Sequence, residues 1–177
     1  MDPWQWVSGD DLQVSRDAFT EGSLDPEQYP PFDSAAWSQL LPGRAIKEIE
    51  YTRIQGDPYY VVRDANSERF LIAANPLQVR REPFSTESLL ERLKKAAPEA
   101  NIIEAQLITE YDSYYYSQDG SRPLPMFRAK FDDPKQTWVY IDAMLGQVAG
   151  QLHRGDRIQR WLFNGFHSLD FSFWHSS

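Results

Sequence analysis

Few residues of this chain have the types and spacing that enzyme chemistry requires. Its three histidines, His153, His167 and His175, are 14 and 8 residues apart, so no pair has the one-turn spacing of a helical metal site. The absence of cysteine excludes thiol nucleophiles, disulfides and the usual structural zinc sites. There is also no Gly-x-Ser-x-Gly motif and no glycine-rich phosphate loop. These patterns therefore predict no catalytic residue, no metal ligand and no cofactor site.

Two other groups of polar residues allow a functional or a structural interpretation. Asp132 and Asp133 precede Pro134 between two apolar stretches, which favours a hairpin turn over an acid–base or calcium pair. Four tyrosines follow one another closely enough to line a groove for a peptide or an aromatic ligand, although half-buried strand tyrosines give the same pattern. They are Tyr111, Tyr114, Tyr115 and Tyr116.

Composition narrows the class of partner. The chain has 177 residues, enough for one domain with a sizeable core, and a net charge of −8. Because nucleic acid binding requires clustered lysine and arginine, no nucleic acid partner is expected. No apolar run of about 18 residues and no signal-peptide pattern is present, so nothing here is predicted to span a membrane.

The elements that must position these residues begin after residue 33. Residues 1–33 are rich in proline and acids, which predicts an extended strap whose aromatic residues fill gaps in the core or, alternatively, bind an aromatic ligand. A short helix is then predicted at Ser34–Leu41. Three strands are predicted at Ala45–Ile54, Pro58–Arg63 and Arg69–Ala74.

A second helix is predicted at Ser85–Ala97, where apolar residues recur at helical spacing. Ser85 is a suitable N-cap, and Phe84 and Leu89 have the spacing of a hydrophobic staple. Pro98 ends the helix, and two lysines near its C-terminus suit the negative end of the helix dipole.

The segment from Ile102 to Gly150 is rich in β-branched and aromatic residues, which is typical of strands joined by turns. Leu124–Phe131 and Thr137–Asp142 should pair antiparallel. Asp142 can cap a following turn, and Gly146 can adopt a positive φ that sends the chain out of the sheet.

The two halves of the chain show a weak internal repeat. Each has a helix, then strands, with similar sequences at matching places. These are Asp57-Pro58-Tyr59-Tyr60 with Asp112-Ser113-Tyr114-Tyr115, Arg69–Ala73 with Thr137–Ile141, and Gln78-Val79 with Gln147-Val148. Such a repeat predicts two similar units that share or abut their cores.

The closing motif of the second half, Tyr-Ile-Asp-Ala-x-x-Gly-Gln-Val, resembles the PepSY domain, a family with a helix followed by a curled antiparallel sheet. The residues that carry the resemblance are Tyr140, Asp142, Gly146 and Val148. We expect Asp142 and Gly146 to act structurally, in the turn. The first half has Ala74 and Leu77 near the corresponding places and is interpreted as a degenerate PepSY-like unit.

The expected fold is α+β, with two PepSY-like units, each a helix packed on a small antiparallel sheet, plus a C-terminal amphipathic helix. Its divisions are the strap at 1–33, the degenerate unit at 34–80, the PepSY unit at 81–150, and the helix and tail at 151–177. In the last division one helical face carries Ile158, Trp161, Leu162, Gly165, Phe166 and Leu169.

The C-terminal helix allows two interpretations: it docks on the sheet, or it lies at a membrane surface and leads into a membrane helix. The second follows from the resemblance, because this tail is similar to the segment before a membrane helix in PepSY-associated transmembrane proteins of bacteria. The chain would then be an excerpt of a longer protein on the periplasmic face of the inner membrane. The expected membrane-proximal residues are Arg157, Arg160, Trp161, Phe166 and Trp174.

The resemblance implies a non-catalytic binding or sensing module, with a peptide or protein partner and a role in regulating a peptidase. The alternative is the periplasmic part of a haem-type membrane reductase for ferric-siderophore uptake. His167 would be the candidate ligand there, but a second axial ligand is missing from this chain. No bound cofactor is therefore expected.

Overall fold

The computed structural model describes residues 12, 14, 19, 23–112, 115 and 122–159. Two four-stranded antiparallel sheets, each preceded by a helix, form an α+β fold, which confirms the expected fold class. The α-helices are α1 (Ser34–Leu40) and α2 (Thr86–Ala96), residues 154–159 are also helical, and Pro26–Gln28 form a 3-10 helix. The strands are β1 (Ile46–Ile54), β2 (Asp57–Asp64), β3 (Arg69–Ala74), β4 (Leu77–Val79), β5 (Ile102–Ile108), β6 (Met126–Phe131), β7 (Trp138–Asp142) and β8 (Gln147–Leu152).

The two sheets share one topology. Their strand orders are β1-β2-β3-β4 and β5-β6-β7-β8, so every neighbour in space is a neighbour along the chain. Both first strands are irregular at the same place, between Ile46 and Glu48 in β1 and between Ile102 and Glu104 in β5. In each unit a helix is thus followed by a sheet of the same topology, as the internal repeat predicts.

The registers correct two details of the predicted repeat. Tyr59 opens the β2–β3 ladder opposite Ala73, and Met126 opens the β6–β7 ladder opposite Asp142. Tyr59 therefore corresponds to Met126, so the predicted match of the two Asp-x-Tyr-Tyr sequences is wrong. Ala73, and not Ala74, stands in the place of Asp142. The two Asp-x-Tyr-Tyr sequences do not correspond because the second unit has an insertion between its first two strands. Residues 109–125 join β5 to β6, whereas only residues 55 and 56 join β1 to β2.

The prediction that Gly146 sends the chain out of the sheet is also wrong. Gly146 has a φ of +61°, as expected, but its N–H donates to the Asp142 carbonyl oxygen at 2.7 Å. This closes a tight turn, after which β8 pairs antiparallel with β7. Short β4 closes the first sheet in the same way, beside β3. The sequence pattern does not predict these last strands, because β4 has only three residues and Gly150 interrupts β8.

Both helices begin at side-chain caps. Asp33 caps α1 by accepting the Ala35 N–H at 2.9 Å, and Ser85 caps α2 by accepting the Ser88 N–H at 3.2 Å. The predicted N-cap at Ser85 is confirmed. Phe84 and Leu89, the predicted staple pair, are both buried in the main core.

Helix α2 contributes to the main core, which also contains buried residues of both sheets. Its buried face meets the second sheet on one side, and buried residues of the first sheet join the same cluster. Burying a large aliphatic or aromatic side chain stabilises a fold by about 1.5–3 kcal/mol, so this shared layer holds the two units together. Its members include Leu89 and Leu93 from α2, Ile54, Val61 and Leu71 from the first sheet, and Phe127, Val139 and Ile141 from the second.

Helix α1 covers the opposite face of the first sheet, where Trp37 packs with Tyr60 and Ile72. Only some described residues of the strap belong to these cores, namely Leu12, Val14, Phe19 and Tyr29, whereas residues 23–28 and 30–33 are exposed. Tyr29 joins the α1 layer, with its hydroxyl donating to the Thr52 carbonyl oxygen at 2.6 Å, and Phe19 joins the α2 layer. Gap filling is thus the role of the described strap aromatics that are buried.

Candidate functional site

The inserted segment between β5 and β6 brings tyrosines onto the outer face of the second sheet. A local turn fixes it, because the Tyr115 N–H donates to the Asp112 carboxylate at 2.6 Å and the Asp112 N–H donates to the Tyr115 carbonyl at 2.8 Å. The hydroxyl groups of Tyr111 and Tyr115 donate to the carbonyl oxygens of Arg122 and Pro123, at 2.7 and 2.8 Å. The segment therefore folds back on itself through its tyrosines.

Two of the four tyrosines proposed for a ligand surface do come together, and a third ring joins them. The centroids of the Tyr111 and Tyr115 rings are 6.2 Å apart, and Tyr115 stacks on Tyr140 at 5.4 Å and 20°. Tyr140 reaches the site from β7, whose outer face also carries Trp138. Tyr114 and Tyr116 lie outside the described residues.

A surface pocket of about 280 Å³ opens beside the stacked pair, and we call it the tyrosine pocket. Tyr115 and Tyr140 form its aromatic wall, and Arg122 stands over the Tyr115 ring, 5.6 Å from its centroid. Edge strand β8 supplies the other wall. The full lining is Tyr115, Arg122, Pro123, Tyr140, Ala149, Gly150, Gln151 and Leu152.

Gly150 keeps the pocket open. It pairs with Tyr140, while Ala149 is the extra residue of a bulge, because Val148 already pairs with Ile141. A Cβ added at Gly150 would meet no atom within 4 Å, and its φ is not in the left-handed region. A glycine inside a strand often marks a bulge or a close approach, and this was the one sequence signal that could have located the pocket.

The Tyr115 hydroxyl is a hydrogen-bond donor in the pocket rather than a proton-transfer group. Burial raises the pKa of Tyr115 to about 12, against the lowering effect of the nearby Arg122 charge. Tyr115 therefore stays protonated at neutral pH and donates to the Pro123 carbonyl. This arrangement favours binding over acid–base chemistry at the site.

Asp142 and Gly146 form the closing turn of the second unit. One Asp142 carboxylate oxygen accepts the N–H groups of Met144 and Leu145, at 2.9 and 3.0 Å. Burial raises the pKa of this carboxyl, although the two N–H donors and the Arg69 charge oppose the shift. The geometry is that of a turn cap.

A buried arginine, Arg92, donates a hydrogen bond to this turn, and the sequence pattern does not single it out. Arg92 lies on α2 with only 3% of its surface exposed, and its Nη2 donates to the carbonyl oxygens of Phe19 and Gly146, at 2.8 Å each. Its guanidinium lies 4.1 Å from the centroid of the Phe19 ring. Arg92 thus ties the strap, α2 and the closing turn together.

The expected membrane-proximal residues are described only in part. Arg157 lies in helical residues 154–159, with its guanidinium 4.2 Å from the Trp138 ring centroid and one nitrogen bonded to the Gln136 carbonyl at 2.7 Å. None of the helices in the described ranges is long and apolar enough to cross a membrane. The other expected residues lie outside the described part of the chain, namely Arg160, Trp161, Phe166 and Trp174.

His153 is the one histidine within the described residues. His153 Nδ1 lies 3.1 Å from the Thr137 hydroxyl, and its backbone N–H donates to the Asp156 carboxylate at the start of the helical residues 154–159. His167 and His175 lie outside the described residues. Among the residues that are described, no three His, Cys, Asp or Glu side chains are grouped as a metal site would require.

No known protein family, no curated protein and no solved structure matches this chain.

Proposed function

We propose that this chain is a non-catalytic, extracytoplasmic binding module of a bacterial membrane protein of PepSY type, and that it binds a segment of a peptide or protein partner. The tyrosine pocket is the observation that carries the proposal. Its stacked Tyr115 and Tyr140 rings lie beside Arg122 and the edge strand β8. Tyrosine and arginine are enriched among the residues that dominate binding energy at protein interfaces.

The position of the pocket favours an extended peptide. Ala149 and Gly150 lie on β8, the edge strand of the second sheet, and no strand of the described chain pairs with its outer edge. A peptide can add to such an edge through main-chain hydrogen bonds while one of its side chains enters a neighbouring pocket. An apolar or aromatic side chain would fit between the tyrosine wall and Leu152.

A selection experiment with a pocket-filling variant tests this function. A displayed library of random 12-residue peptides would be selected on the immobilised wild-type protein and on Gly150→Val and Gly155→Ala. A Cβ at position 150 would meet no atom within 4 Å, and valine suits a strand, so we expect valine to take up pocket volume while the fold persists. Gly155 also has open space around it but lies away from the pocket, so its alanine variant is the matched control.

We expect related peptides to be enriched on the wild type and on Gly155→Ala, but not on Gly150→Val. Circular dichroism and thermal unfolding of Gly150→Val would verify that its fold is intact. Equal enrichment of the same peptides on all three proteins, or no enrichment on the wild type, would contradict the proposed pocket.

A further inference from the structure

We propose a second interaction surface, at strand β4, where an acidic extended segment of a protein partner adds to the first sheet as a fifth strand. This inference does not rest on the tyrosine pocket, which lies on the other sheet. Strand β4 is the last strand of the first sheet, and within the described residues no other strand pairs with its outer edge. We call the edge and the hollows beside it the β4 groove.

The β4 groove has a pocket on each face of the sheet. A pocket of about 480 Å³ lies on the α1 face, beside Leu40 and Phe70, and one of about 300 Å³ lies on the α2 face, beside Tyr59 and Ala73. Phe70 packs against the α1 layer and Tyr59 against the α2 layer, which places the two pockets on opposite faces. Both pockets reach Val79 on β4.

This geometry matches an added strand. Successive side chains of a strand point to opposite faces, so a peptide paired with β4 would place alternate side chains in the two pockets. The main-chain partners are available, because the Arg80 N–H donates to the Leu71 carbonyl at 2.8 Å. In an antiparallel ladder the N–H of Val79, one residue earlier, must then point away from β3 towards the open edge.

Charge identifies the class of partner. Arg80 and Arg81 line both pockets, and neither forms an ion pair with a carboxylate in the described chain. The Arg80 guanidinium stacks 4.0 Å from the centroid of the Phe84 ring, while Arg81 is exposed. Arg44 also lines the larger pocket, but its guanidinium already pairs with the carboxylates of Asp64 and Glu68.

The whole chain carries a net charge of −8, so Arg80 and Arg81 make the groove a local exception. One acid, Glu82, also lines the smaller pocket. Complementarity therefore favours an acidic segment, with carboxylates near Arg80 and Arg81 and apolar side chains against Leu40, Phe70 or Tyr59.

The test uses labelled decapeptides and fluorescence anisotropy. One peptide alternates glutamate and valine, a second has lysine in place of glutamate, and a third is the glutamate peptide N-methylated at alternate residues. The variant is Arg80→Glu/Arg81→Glu. The charge-matched control is Lys47→Glu/Arg154→Glu, which changes two exposed cations that line neither pocket. Vesicles of phosphatidylglycerol form a separate arm.

We expect the glutamate peptide to bind the wild type and the control with equal affinity, and the arginine variant at least tenfold more weakly. N-methylation should weaken binding at least tenfold, because it removes main-chain donors, and the lysine peptide should not bind. Gly150→Val should bind the glutamate peptide as the wild type does. The proposal is overturned if the arginine variant or the N-methylated peptide retains full affinity, if the glutamate peptide does not bind, or if only the vesicles bind.

Discussion

Asp64 and Asp133 cap equivalent turns of the two sheets, because each carboxylate accepts the backbone N–H groups two and four residues further along the chain. The distances are 2.9 Å for both bonds to Asp64, and 3.3 and 2.5 Å for those to Asp133. Ser67 and Gln136, three residues after each aspartate, both have positive φ, at +66° and +48°. The two units therefore share a turn design as well as a strand order.

The pH dependence of stability should reveal the Asp133 cap. Burial raises the pKa of Asp133, but the Thr137 N–H and hydroxyl and the Lys135 N–H outweigh it, so the net pKa is lowered. A lowered folded-state pKa stabilises the protein above the unfolded-state value of about 3.9, and this contribution is lost as pH falls through the folded-state value. We expect Asp133→Asn to lower the free energy of unfolding by about 1 kcal/mol at pH 7, with a smaller difference below about pH 4. Urea unfolding across this range measures it, and a pH-independent difference would refute the assignment.

Asp142 should behave in the opposite way. Its pKa is raised, mainly by burial, so the folded state favours the protonated form. The contribution of this group is therefore most favourable below the unfolded-state value of about 3.9 and is lost as pH rises through the folded-state pKa. Asn keeps an oxygen for the Met144 and Leu145 N–H groups without a charge to bury, so we expect Asp142→Asn to be at least as stable as the wild type at pH 7.

Asp142→Ala is the control, because it removes the acceptor altogether. It should lower the free energy of unfolding by about 1–3 kcal/mol. Urea unfolding at pH 4 and pH 7 distinguishes the variants. A loss of more than about 1 kcal/mol in Asp142→Asn at pH 7 would show that the ionised carboxylate is needed for the cap.

Alanine substitutions at Gly146 and Gly56 should distinguish the cost of backbone strain from the cost of side-chain crowding. Both have positive φ, +61° and +86°, but a Cβ at Gly146 would lie 2.8 Å from both Arg92 Nη1 and Phe84 Cε2, while one at Gly56 would meet nothing within 4 Å. Gly56→Ala should therefore lose about 1–2 kcal/mol and Gly146→Ala about 2–4 kcal/mol. Equal losses in the free energy of unfolding, measured by chemical denaturation, would mean that the closing turn adjusts to accommodate the added methyl group.

Replacing Arg92 should weaken the link between the strap and the second unit. Arg92→Met keeps most of the side chain's length but leaves the carbonyl oxygens of Phe19 and Gly146 without this donor. We expect a loss of about 2–4 kcal/mol in the free energy of unfolding. Hydrogen exchange should quicken around the closing turn. Arg81→Met, at an exposed arginine, is the matched control and should change neither quantity.

Local signals were sufficient for most of the elements. Ser85 caps α2 because a serine hydroxyl before an apolar helical stripe accepts a free backbone N–H. Asp133 likewise accepts backbone N–H groups in the turn between β6 and β7. Such bonds span two to four residues, so the sequence pattern contains them completely. The same holds for the positive φ of Gly146.

Features that depend on distant contacts were not predictable in this way. The likeness of two Asp-x-Tyr-Tyr sequences suggested a match that the cross-strand register does not support, because Tyr115 lies in an insertion while Tyr60 lies in a strand. The contact of Tyr115 with Tyr140 needs the insertion to fold back on β7. In the sequence Arg92 is an ordinary polar residue of a helix, and only its contacts with Phe19 of the strap show its buried role.

The most direct test of the binding function is an amide chemical-shift titration of the 15N-labelled protein with a peptide selected on the wild type. The tyrosine pocket predicts the largest shifts at Tyr115 and in Ala149–Leu152, and none of comparable size in Gly150→Val. Shifts that are largest at the β4 groove or on α1, or that persist unchanged in Gly150→Val, would contradict the assignment of the peptide site to the tyrosine pocket.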